Sequence, residues 1–334
     1  MSEPSASRVP AWLQPLMWPV IALTALLLFN VLFTEGFARM DIRDGHLYGS
    51  LVDVLKQSSR VMLVSLGMTL IIATGGVDLS VGAVIAIAGS LAAQMLVQTH
   101  AGLATAILVT LAACLVLGVW NGALVAWCGV QPIVATLILM VAGRGVAQLL
   151  TDGQIITVEN AGFTFIAGGY FLALPFPVTL VLLALLLTAI LTRRTAMGLF
   201  IEAVGNNETA SYFAGVNARG VKLFVYAFCG LCAGVAGLIE ASAIKAADAN
   251  NAGLYLELDA ILAVVLGGTA LTGGRFNLLG SLVGALIIQT LTTTILTRGV
   301  PVQYTLVVKA VVVLAVCLLQ SEQFRARLIS RRSV

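Results

Sequence analysis

Charge is scarce in this sequence: 10% of its 334 residues are Asp, Glu, Lys or Arg and 60% are hydrophobic, which gives a mean hydropathy of +1.04. A soluble globule of this length needs more polar surface, so the bilayer is the expected solvent. Histidine is nearly missing too, since His46 and His100 are the two present and neither has other metal-ligating residues clustered beside it. No GxxxxGK[ST] loop, HExxH pair or nucleophile elbow occurs, so nucleotide hydrolysis, zinc proteolysis and serine chemistry have no footing. The chain is not expected to be an enzyme, and neither a metal nor a cofactor is expected. If energy is used, it must come from another subunit or from an ion gradient. The five cysteines, Cys114, Cys128, Cys229, Cys232 and Cys317, all fall in apolar runs, where they read as small packing residues. No small-residue cleavage site follows the first apolar run, so that run is expected to stay as a span rather than leave as a signal peptide.

Long apolar runs are what the chain does have. They lie at 12–33, 61–74, 81–98, 103–128, 132–150 and 174–192, and then at 223–244, 258–271, 278–296 and 302–319. Between Val61 and Gly143 the one residue charged at neutral pH is Asp78, so several hydrocarbon-crossing segments fit there without burying unpaired charge. The expectation is an all-α, polytopic membrane protein of about ten transmembrane helices, forming a single domain over 1–334 with a cytoplasmic loop at 193–222. The net charge of +3 matters less than where it sits. Arg193, Arg194, Arg219 and Lys222 mark one basic cluster, and Arg325, Arg327, Arg331 and Arg332 mark another. The positive-inside bias puts both clusters, and with an even span count both termini, on the cytoplasmic face. Nucleic acid is not an expected partner, because these clusters are short loops beside apolar spans rather than a solvated basic face.

The runs 61–74 and 258–271 are shorter than the ~20 residues a spanning helix needs. Both end at paired glycines, Gly75–Gly76 and Gly267–Gly268. Helix breaks at membrane depth survive only where protein or a wet cavity satisfies the freed backbone groups, so these breaks are expected near the central pathway. GxxxG spacing recurs at Gly118–Gly122, Gly230–Gly234 and Gly280–Gly284, which predicts close helix–helix approach. No internal repeat is evident, and the two glycine breaks do not sit at matching places in the two halves.

Polar residues inside or beside the runs are the candidates for chemistry. Asp78 with Ser80 is placed to cap the helix that starts at Val81, or else to be a polar point on a substrate path. Arg144, between two glycines, must snorkel, pair or face a cavity, and reads as an interhelical anchor or an interface group. Asn121, Gln131, Asp248, Asn250 and Asn251 stand at or near span ends as further path candidates, each of them equally compatible with an ordinary loop. The polar island 193–222 reads as a short helix over Asn207–Gly215. Asn206 or Asn207 accepts from the first free amides, and Gly215 closes the far end in a left-handed turn. Ala210, Phe213 and Ala214 share one face, with Glu208 and Glu202 nearby. Such a ridge on the membrane surface offers a lever to a soluble partner, or is a plain connecting loop.

Four stretches, the island, GGVDLSVGA (75–83), MVAGRGVAQLLTDGQ (140–154) and LDAILAVVLGGTALTGGRFN (258–277), resemble the permease subunit of ribose- and galactose-type sugar ABC importers. The resemblance runs from about Val61 to Gln320. It is nearest the galactofuranose subtype through ADANNAGLYLELDAILAVV (247–265) and DIRDGHLYGS (41–50). It implies an inner-membrane permease of ten helices that works with a second permease subunit, expected to be a distinct homologous chain. A cytoplasmic ATP-binding cassette subunit and a periplasmic sugar-binding protein complete the implied partners, within membrane lipid. It also makes the island the coupling segment, with Glu202, Asn207, Glu208, Ala210, Phe213 and Gly215 facing the ATPase. Alternatives are a permease for ribose or another monosaccharide, an ion-coupled secondary transporter with Asp78 as its buried acid, and a membrane-embedded transferase, for which no catalytic cluster is visible.

Overall fold

The computed structural model describes residues 14–43 and 45–320. The start of the first run at Trp12, Asp44 and the C-terminal arginine cluster lie outside the described residues.

Each of the ten apolar runs is helical. They are α1 (Gln14–Phe33), α2 (Ser50–Ala73), α3 (Val81–Val97), α4 (Leu103–Ala126) and α5 (Pro132–Leu150), then, beyond a short α6 (Ala161–Gly168), α7 (Phe176–Arg194). The island folds as α8 (Met197–Asn206) and α9 (Glu208–Phe213), followed by α10 (Ala218–Ile244), α11 (Leu256–Leu266), α12 (Leu278–Thr297) and α13 (Val302–Gln320). Three small antiparallel pairs decorate this helical frame. They are β1 (Asp41–Arg43) with β2 (His46–Tyr48), β3 (Ile156–Thr157) with β6 (Ala246–Ala247), and β4 (Tyr170–Phe171) with β5 (Leu174–Pro175).

Among the described residues, six helices are long and apolar enough to cross a membrane: most of α1, and α4, α5, α7, α10 and α12. The expectation of about ten is thus met by six on length and composition. At 24 residues α2 is long enough, but Asp53, Lys56 and Arg60 sit in its first half. The run at 61–74 is therefore the apolar end of a continuous helix, not a short one. By contrast α3 has 17 residues and α11 has 11, and at 1.5 Å per residue α11 covers about half of a ~30 Å hydrocarbon core.

Side-chain pairings give the sense of each helix. Arg60 pairs with Glu240 at 2.7 Å while Gly67 packs on Cys229, so α2 runs antiparallel to α10. Ile85 lies level with Gly237 and Gly89 with Ala241, so α3 runs parallel to α10. Thr69 bonds Ser281 and Gln57 accepts from Gln289, which sets α12 antiparallel to α2. The GxxxG stripes do what their spacing predicts. Gly118 and Gly122 of α4 face Tyr226, Ala227 and Leu223 of α10, Gly230 and Gly234 of α10 face Cys114 and Gly118 of α4, and Gly280 and Gly284 of α12 face Gly267 and Ala263 at α11. Helix α2 from Val61 onward and the first ten residues of α3 are buried all round, and most of α10 is buried with them. These three make the centre of the bundle. Helices α4, α5 and α7 carry an exposed apolar face, with Leu108, Val116, Val141, Leu183 and Leu186 on it, as a lipid boundary requires.

One symmetry is invisible in the sequence. A long helix, a non-helical linking segment and a shorter helix follow one another twice, as α2, 74–80, α3 and as α10, 245–255, α11. Because α2 and α10 run in opposite senses, the two units are inverted relative to each other. The glycine pairs do not mark this match, since Gly75–Gly76 opens the first linking segment while Gly267–Gly268 follows the second shorter helix.

Candidate functional site

Asp78 is 2% exposed and lies in the linking segment before α3. Its Oδ1 accepts from the Ser80 amide at 2.9 Å and the Ser80 hydroxyl at 2.6 Å. Ser80 Oγ accepts in turn from Asn121 Nδ2 of α4 at 2.8 Å. The expected capping of α3 by Asp78 and Ser80 is not what forms, for Ser80 occupies the N-cap position without a side-chain bond to the helix. The carboxylate instead ties the segment to α4, leaving Asn121 Oδ1 buried without a partner. Behind it, Gly76 leaves room for the Tyr226 hydroxyl, which donates to the Val77 carbonyl at 3.4 Å.

The second linking segment is held to α5. Arg144 donates to the carbonyls of Ala249 at 3.1 Å and Ala252 at 2.6 Å, and Gln148 Nε2 donates to Asn250 Oδ1 at 2.7 Å. Asp248 accepts from the Asn251 side chain at 2.8 Å and from the amides of Asn250 and Asn251. The Asn251 side chain and those amides hold the Asp248 carboxyl below the usual carboxylate range. Arg144, Asp248, Asn250 and Asn251 thus come together. Gln131 does not join them. It is exposed at the N-cap of α5, seventeen residues from Gln148 and so about 25 Å away along the helix.

Glu257 was not among the candidates from sequence, since it stands one residue before the apolar run at 258–271. The structure puts it in the first turn of α11, 4% exposed, against Gly82 in the first turn of α3, where a Cβ would strike its carboxylate and the Gly253 carbonyl. That contact joins residues far apart in sequence, so no local signal reveals it. Asp259, two residues on, pairs with Lys309 of α13 at 2.8 Å.

At the opposite end of the bundle lies the island. It is two helices rather than one, broken at Asn207, whose φ is −159°. Asn207 Oδ1 accepts from the Ala210 amide at 2.9 Å, and Gly215 has φ 84°, the left-handed closure. Glu208 pairs with Lys222 of α10 at 2.6 Å, fixing α9 to a core helix. Tyr212 and Phe213 are 71% and 82% exposed, and they border a groove of about 800 Å³ together with Glu208 and Arg219. Ala210 is exposed on the same short helix and Glu202 is half-buried on α8. Gly205 of α8 packs directly on the Ala73 carbonyl at the end of α2. The Gly274 amide donates to that carbonyl at 2.9 Å, and Gly274 also abuts Asn206. The island therefore touches both the α2 break and the loop joining α11 to α12. Within that loop region Gly267 packs on Gly280. Among the described residues no group of three or more His, Cys, Asp or Glu is placed to hold a metal.

The family described as branched-chain amino acid transport system / permease component matches residues 50–317. The chain belongs to this permease family. A galactofuranose transporter permease of Escherichia coli, YtfT, is 53% identical over 312 residues, covering 92% of this chain and 91% of the relative. The fructose import permease FruF of Bifidobacterium longum is 39% identical over 92% of this chain and 87% of its own length. The ribose import permease RbsC of Escherichia coli is 39% identical over 82% and 86%. No solved structure matches the chain.

Proposed function

We propose that this permease is the membrane-spanning subunit of an ATP-driven monosaccharide importer of the inner membrane, with galactofuranose as its sugar. The observation that carries the reading is the 53% identity to the galactofuranose permease over nearly the whole of both chains. Ribose and fructose permeases are more distant at 39%. Ten helices cross or enter the bilayer in a single domain, and the face bearing α8 and α9 is cytoplasmic, in line with Arg193, Arg194, Arg219 and Lys222 around it. The start of α1 and the end of α13 share that face.

Its partners are a second, homologous permease, a separate ATPase subunit that hydrolyses ATP beneath α9, and a periplasmic protein that delivers the sugar. Tyr212 and Phe213 present the apolar ridge that the ATPase grips. Gly205 and Gly274 support this reading, because they put α8, the helix that leads directly into α9, in contact with the end of α2 and the α11–α12 loop, so a push on α9 passes through α8 to both broken segments. ATP then biases the pair between outward- and inward-open states through contacts that differ between the two. Proteoliposomes holding the permease with its ATPase and binding protein test this. Galactofuranose uptake is expected to require ATP, to ignore a protonophore, and to exceed uptake of ribose and fructose. Uptake driven by an ion gradient without ATP would overturn it.

A further inference from the structure

Between α1 and α13 the surface of the bundle holds a groove. Along α1, Trp18, Ala22, Ala25 and Phe29 recur at helical spacing, and the two small residues leave a depression between the two large ones. Ile287 of α12 closes the groove from below and Val312 of α13 stands across it, enclosing about 400 Å³ between apolar walls. Trp18 and Phe29 are eleven residues apart, so the groove runs about 16 Å along α1, half the ~30 Å depth of a hydrocarbon core. It is one leaflet deep. At its Phe29 end sits Arg298, the C-cap of α12, its guanidinium carbon 5.4 Å from the centre of the Phe29 ring and 5.6 Å from that of Phe33. One turn deeper, the Asn30 side-chain amide donates to Thr294 Oγ1 at 2.7 Å and ties α1 to α12. Arg298 is exposed, and among the described residues no carboxylate forms an ion pair with it.

We propose that this groove binds an acyl chain of an anionic phospholipid whose phosphate pairs with Arg298. A guanidinium over aromatic rings still offers N–H donors, and phosphate oxygens are its best-matched acceptors. From that headgroup the chain descends past Phe29, Ala25 and Ala22 to Trp18. Another protein helix fits the space poorly. Over 16 Å, a helix about 10 Å across displaces roughly 1,200 Å³, far more than the groove holds, and it would have to bring an acid to Arg298. The leaflet is the one away from α8 and α9, because α12 starts after the loop whose Gly274 abuts Asn206 of the island and ends at Arg298. Positive-inside bias makes arginine scarce on that face, and a lipid phosphate supplies the counter-charge that the protein does not.

Trp18, at the deep end of the groove, reports what lies in it. The full-length permease, with Trp12, Trp120 and Trp127 replaced by phenylalanine, is reconstituted in bilayers of phosphatidylcholine brominated on its chains, which quenches tryptophan emission on contact. Unbrominated phosphatidylglycerol is then added in steps. The expected result is that phosphatidylglycerol protects Trp18 as though enriched at the groove about fivefold over its share of the bilayer, the scale of one arginine attracting an anionic lipid. Arg298→Gln is expected to abolish that enrichment while brominated phosphatidylcholine still quenches Trp18, which shows the groove to be intact. Arg298→Lys keeps the charge and most of the enrichment. Protection that merely follows the bulk composition overturns the proposal, as does an enrichment that survives Arg298→Gln. A Trp18 that no brominated lipid quenches overturns it too, since protein rather than lipid then covers the groove.

Discussion

Single polar residues decide much in a bundle this apolar, because a buried donor or acceptor has no water to turn to. Asp78 takes two bonds from Ser80 and, through Ser80, holds Asn121. Asp78→Ala strands the Ser80 amide and hydroxyl and is expected to cost about 1–3 kcal/mol, read as a lowered thermal unfolding temperature in detergent. Asp78→Asn keeps an acceptor and is expected to lose less. Equal stability for the alanine variant would show the network to be dispensable. Asp78 and Arg144 were legible in the sequence because each is a lone charge in a long neutral stretch. Glu257 was not, for it stands one residue before the apolar run at 258–271, and what gives it meaning is the packing of Gly82 across the bundle. Gln131 shows the converse, a polar residue at a span end that the fold leaves at the wrong end of α5.

At the scale of elements, helix length and interruption carry the design. The central α2 is continuous for 24 residues and ends where Gly205 of α8 meets the Ala73 carbonyl. No side chain fits at that contact, so Gly205→Val must push α8 away from α2. The expected result is a complex that still hydrolyses ATP yet loses most of its sugar uptake, measured side by side in proteoliposomes. Unchanged uptake would mean that force does not pass through this joint. Apolar runs sufficed to locate the principal helices, though not the charged first half of α2, and GxxxG spacing to predict which stripes approach closely. What it did not reveal is α8, the helix that precedes the expected start at Asn207, or the inverted pairing of α2–α3 with α10–α11. Both follow from backbone turns and long-range packing, whereas hydrophobic patterning reports only which residues prefer to leave water.

Taken whole, the molecule places two inverted units around buried helices, a cluster of Arg144, Gln148 and Asn250 toward one end and a small aromatic lever at the other. The proposed coupling role draws on the 800 Å³ groove beside Tyr212 and Phe213 and on the Glu208–Lys222 pair that ties α9 to α10. Cross-linking addresses it directly. Phe213→Cys, in a chain whose exposed Cys128 is first replaced by serine, is assembled with its ATPase and treated with a thiol cross-linker against cysteines on the ATPase surface. A permease–ATPase adduct whose yield changes with ATP, and whose formation halts sugar uptake, is the predicted result. An assembled, transporting complex that yields no adduct from position 213 under any nucleotide condition would contradict the lever.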